Sequence, residues 1–101
     1  MNESHVYTFV IDYHGGTYLR QNRGHNIKRA LHAFMNACTK EKDYDFFHVL
    51  ATALQDHIDG GQWPVSVDGL DGVWCVSCPV NDHLALINIV ETTIHPTEDK
   101  T

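Results

Sequence analysis

The residues best able to do chemistry lie in WCVSCP, Trp74 to Pro79, where Cys75 and Cys78 stand in a Cys-x-x-Cys spacing. A dithiol redox centre needs its first cysteine at a helix N-terminus, where unpaired N–H groups and the helix dipole stabilise the thiolate. Here Pro79 follows the second cysteine directly, and the run VWCVSCPV reads as a strand. Side chains three apart in a strand project to opposite faces, which assigns one thiol to the core and the other to an edge. A zinc set can be written as Cys75, Cys78, His83 and His95, because tetrahedral zinc takes thiolate and imidazole ligands. One Cys-x-x-Cys is only half of such a signature, and a strand offers both thiols to one ion only where Pro79 or a bulge bends it. A metal- or thiol-dependent enzyme built on these residues is therefore the alternative reading, and no cofactor is expected.

Eight histidines stand at positions 5, 14, 25, 32, 48, 57, 83 and 95, with no His-x-His or His-Glu-x-x-His pair among them. Protonating all eight would carry the formal charge from −6 to +2. His14, beside Gly15 and Gly16, could serve as an exposed general base with Asp12 or Arg20 nearby. The same residues are ordinary hairpin-turn chemistry, and we read them so. The chain carries no Gly-rich phosphate loop and no Gly-x-Ser-x-Gly elbow, so the expectation is a protein that is not an enzyme.

Charge is distributed more informatively. Every Asp and Glu lies outside residues 13–40, a window that carries +5 while the remainder carries −11. Arg20, Arg23, Lys28 and Arg29 lie in that basic window, around the start of an expected helix, and form a candidate site for an anion or an acidic partner. The acidic remainder offers the complementary face, with Asp43, Asp45, Asp56 and Asp59 on or beside a second helix, suited to a basic partner protein. A formal charge of −6 and the lack of a known nucleic-acid module argue against nucleic acid.

The elements that must position these groups follow from periodicity. A chain of 101 residues holds one core and one domain, and Leu, Ile, Val and Phe supply 26 of them. YTFVIDY alternates with period two and TYLRQNR resumes after HisGlyGly, which predicts a hairpin. From Asn26, as N-cap, the spacing of Ile27, Leu31, Phe34, Met35 and Cys38 predicts a helix ending near Thr39. Asp43 or Asp45 is expected to cap a second helix carrying Phe47, Leu50, Ala51, Leu54 and Ile58, closed by Gly60 and Gly61. QWPVSV, VWCVSCPV and HLALINIVETT read as strands, the last internal or covered by a partner because its apolar groups lie on both faces. The predicted fold is α+β, order ββααβββ, an antiparallel sheet of about five strands with two helices on one face and frayed ends at 1–4 and 95–101.

YTFVIDYHGGTYL running into NIKRALHAF resembles the opening hairpin and helix of HicB-type antitoxins. The likeness covers about the first third of the chain and is architectural: that family's Gly-Cys segment before the helix has no counterpart, two consecutive helices depart from its pattern, and no functional residue carries over. Without a signal-like N-terminal segment or a long apolar run, the chain is expected to be soluble and cytoplasmic, with three reduced cysteines. Its expected role is a small non-enzymatic interaction domain binding another protein or its own copy, an antitoxin- or immunity-type binder being the concrete example, with no membrane partner.

Overall fold

The computed structural model describes residues 4–93; apart from Ser4, the expected frayed ends lie outside that range. β1 (His5–Tyr13) and β2 (Gly16–Gly24) are followed by α1 (Ile27–Thr39) and α2 (Phe46–Asp59), then β3 (Val65–Ser66), β4 (Val73–Val80) and β5 (His83–Glu91). The five strands form one antiparallel sheet in the order β2-β1-β5-β4-β3. Both helices pack on one face of it, as the α+β reading requires.

Two turns set the register. Tyr13 pairs with Gly16 across His14 and Gly15, whose φ values are 50° and 84°. Val80 pairs with His83 across Asn81 and Asp82, at 49° and 71°. Positive φ at both central residues is what a two-residue hairpin needs to match strand twist. Asn and Asp tolerate that conformation well, and Gly adopts it freely.

α1 begins just after Asn26, which is itself extended and whose side-chain oxygen accepts the N–H of Arg29 at 2.9 Å. Its buried stripe is Ala30, Leu31, Phe34, Met35 and Cys38, and Phe34 stacks on Phe9 of β1 with centroids 4.3 Å apart. α2 buries the expected Phe47, Leu50, Ala51, Leu54 and Ile58 and ends through Gly60, with Gly61 at φ 89°. Its start differs from expectation. Asp45 holds the N-cap position in a helical conformation and makes no side-chain cap bond. A tight turn takes over instead, with the N–H of Phe47 bonded to the Tyr44 carbonyl at 3.2 Å and that of His48 to the Asp45 carbonyl at 3.0 Å.

QWPVSV yields only Val65 and Ser66 as strand. Pro64 has no N–H to add to a ladder, and the Val67 N–H already closes the following turn on the Val73 carbonyl at 2.9 Å. β5 is the central strand, paired with β1 from Tyr7↔Glu91 to Tyr13↔Ala85 and with β4 along its other edge, so it is internal as its composition implied. The core of Phe9, Ile11, Leu31, Phe34, Leu50, Leu54, Ile87 and Ile89 lies between the sheet and the two helices. Among the described residues no buried side-chain polar atom lacks a partner.

Candidate interaction surface

Alternation along each strand divides the sheet. Tyr7, Phe9, Ile11, Val76, Cys78, Val80, Ala85, Ile87 and Ile89 point to the helices and are buried. Their neighbours in sequence point the other way, where among the described residues no helix is packed. Register aligns that open face into rows. Leu19, Val10, Asn88, Cys75 and Val65 form the central row across all five strands. On one side lie Gln21, Thr8, Val90 and Val73; on the other, Thr17, Asp12, Leu86 and Ser77. Leu19 is 61% exposed, Leu84 63% and Val65 66%, and Val10, Val73, Leu86 and Val90 are half-buried. One charged residue per five is the composition of the whole chain, yet the strand positions of this face hold only Asp12 and Arg23 among the described residues.

Five polar side chains on this side of the sheet are partnered to each other. Thr17 donates to the Asp12 carboxylate at 2.7 Å, Gln21 donates to Thr8 Oγ1 at 2.9 Å, and the hydroxyls of Thr8 and Thr92 are bonded at 2.7 Å. Groups satisfied within the face lose little when water leaves it, whereas unpartnered ones would each cost about 1–3 kcal/mol. Asp12 and Arg23 sit toward opposite ends of the β1–β2 ladder, opposite Thr17 and Val6 respectively, so the face is neutral in a chain of charge −6.

The basic residues singled out in the sequence are dispersed. Arg20 lies on the helix side of β2, its guanidinium 4.4 Å from the centroid of the Phe47 ring and 3.3 Å from Glu41 Oε1. Arg23 is on the open face, and the Lys28 ammonium covers the Trp63 ring at 4.7 Å. Arg29 is exposed in the first turn of α1, whose end is closed by Asn26. The acidic residues are split as well. Asp43 and Asp45 precede α2 while Asp56 and Asp59 lie in its last turn, a helix length of about 20 Å away. Asp59 accepts from Gln55 at 2.9 Å, and Asp56 borders the groove between α1 and α2 with His32, Met35 and Thr52.

The cysteines take the opposite faces expected of a strand. Cys78 is fully buried under the helices and Cys75 is on the open face, half-exposed; Cys38 is buried in α1. Burial pushes the Cys78 thiol up, and it pushes Cys38 up to about 12 against a smaller downward pull from Arg20. His83 stands at the far end of β4–β5, opposite Val80, and His95 is outside the described residues. Among the described residues no group of three or more His, Cys, Asp or Glu could hold a metal ion. His83 meets His14 instead, Nδ1 to Nδ1 at 3.2 Å, so one ring donates and the other accepts. No pattern in the chain could have foretold that pair, since the two residues are 69 apart and lie at different hairpins.

This is a two-layer α+β domain whose sheet is covered by helices on one face and, among the described residues, open on the other. No protein-family model matches the chain, and no curated protein or solved structure matches it significantly. Among the described residues no helix is long and apolar enough to cross a membrane.

Proposed function

We propose that the chain is a protein-interaction domain that works through the open face of its sheet. One observation carries the reading: a face crossing all five strands exposes Leu19, Leu84 and Val65 around half-buried Val10, Val73, Leu86 and Val90 and holds two charges of opposite sign. Contiguous exposed apolar surface of this kind marks contact sites, and the internal pairing of its threonines, Gln21 and Asp12 prepares it for losing water. Antitoxin- and immunity-type proteins, which act by sheathing another protein, exemplify such a module. The enzymatic alternative has less support, since Cys75 and Cys78 face apart and burial holds Cys78 in its unreactive protonated form.

The test compares baits. Tagged wild-type chain and the face variants Leu19→Asp and Leu84→Asp are used to capture proteins from cells that express the chain, alongside measurement of self-association. Both substitutions replace exposed side chains, so melting temperatures should stay near wild type. Association with another protein or with itself that both variants lose supports the reading. Association that the variants retain in full, or none at all by wild type, overturns it.

A further inference from the structure

Resting on that reading of the open face, we infer that its occupant is a second copy of the chain, stacked sheet on sheet about a two-fold axis running along the central row. Three observations select this partner. The face is neutral although the chain carries −6, so two copies can meet there with their remaining acids turned outward; a strongly basic partner would find only Asp12 to pair with. The two charges are placed for self-pairing. A two-fold that reverses strand direction carries Arg23, at the Gly24 end of β2, toward the partner's Asp12, which lies near the other end of the same ladder. The same operation sets Leu86 against the partner's Val90, because their rows lie on either side of the central one.

Size agrees. Four strands about 4.8 Å apart, each of eight or nine residues at about 3.3 Å, present roughly 550 Å² in projection. Two copies therefore bury about 1,100 Å² or more, just above the roughly 1,000 Å² that a specific interface needs. Aligned sheets pack about 10 Å apart with their strands at about −30°. An interface of this size built without a buried aromatic anchor implies a dissociation constant in the micromolar range.

Cys75 lies in the central row and thus over its own copy, and it is the one described cysteine that is not buried. At about 10 Å between sheets the two thiols are too far apart for a direct disulfide but within reach of a short bis-maleimide. Sedimentation equilibrium of the purified chain from about 1 to 200 µM, a span chosen to bracket that constant, should show a reversible dimer. Cross-linking should join Cys75 to Cys75, and Cys75→Ser should abolish the product. Leu86→Asp and, independently, Leu19→Lys should raise the dissociation constant by about 100-fold or more. Arg23→Glu should raise it about tenfold, and the reversal Asp12→Arg with Arg23→Glu should recover the loss. A chain that stays monomeric throughout overturns the second copy as occupant, while the interaction reading is decided separately by the bait comparison. A dimer indifferent to Leu86→Asp and Leu19→Lys places the contact elsewhere and overturns the inference, and a reversal that recovers nothing overturns the strand-reversed stacking.

Discussion

Replacing Gly24 with alanine should be among the most damaging single-methyl changes the chain can suffer. Gly24 ends β2 where α1 crosses it, and a Cβ built there falls 2.4 Å from the Ala30 nitrogen and 2.9 Å from both the Ala30 Cα and the Arg29 carbonyl carbon. Real Cβ contacts essentially never fall below 3.0 Å, so the first turn of α1 must retreat by at least 0.6 Å, and by about 1 Å to reach ordinary contact. The atoms struck are backbone and cannot rotate away. They are also tied down, the Arg29 N–H to the Asn26 side chain at 2.9 Å and the Ala30 N–H to the Asn26 carbonyl at 3.0 Å. Overpacking typically costs about 1–3 kcal/mol, and loosening the cap adds about 1 kcal/mol, so a loss of about 2–4 kcal/mol is expected. For a domain this size each kcal/mol moves the midpoint by about 4–8 °C, which predicts a fall of roughly 10–30 °C in thermal unfolding followed by circular dichroism. Gly60→Ala is the matched control, because its Cβ would meet nothing nearer than 3.5 Å and its φ is −83°; it should hold the midpoint or raise it slightly. A Gly24→Ala melt within about 3 °C of wild type, less than 1 kcal/mol by the same conversion, would refute the close seating of α1 on β2.

Thiol chemistry gives a second prediction. Diluted below the dissociation constant of the dimer, the native chain should alkylate at Cys75 alone, with Cys38 and Cys78 reacting only on denaturation, and mass spectrometry of the labelled protein counts them. Because burial raises both buried thiols, and Cys38 from 9.0 to about 12, the folded chain keeps protons that the unfolded chain releases. Their contribution to stability is therefore intact below pH 9 and lost as pH rises from about 9 towards 12, a decline that chemical denaturation at stepped pH should record. Asn26→Ala removes the side-chain acceptor of the Arg29 N–H at the start of α1 and should cost about 1 kcal/mol by the same assay, with Asn26→Asp close to neutral.

Much of the architecture was legible because the signals were local. Asn26 ahead of the Leu31, Phe34, Met35 and Cys38 stripe marks α1 by side-chain chemistry that needs no tertiary partner. HisGly and AsnAsp occupy two hairpin turns with positive φ, and the apolar groups on both sides of β5 left it either internal or covered by a partner, of which the sheet shows it internal. What sequence reasoning missed was assembled from distant pieces. The central row joins Leu19, Val10, Asn88, Cys75 and Val65 from five strands, and only the register reveals that they share a face. Apolar groups on both faces of β5 do not reveal that Leu84, Leu86 and Val90 lie on the side away from the helices. Arg20 was grouped with Arg23 by proximity in the chain, yet odd and even positions of one strand belong to different sides, and Arg20 spends its charge on Glu41. Asp45 matched the composition of a cap but lies in a helical conformation, where its carboxylate does not reach back to the helix amides.

The central position of β5 has a consequence for how the chain comes into being. β1 can pair with β2 as soon as the hairpin is made, but its other edge is filled by residues 72 to 84 positions later, from Tyr13↔Ala85 to Tyr7↔Glu91. At 5–20 residues per second, a ribosome takes about 4–17 s to deliver that partner. Throughout the interval a finished hairpin offers a bare apolar strand edge to any other nascent chain, and closing the sheet must then overcome the entropy of a long loop. Burst synthesis from crowded polysomes should consequently yield less folded protein than slow synthesis of the same sequence.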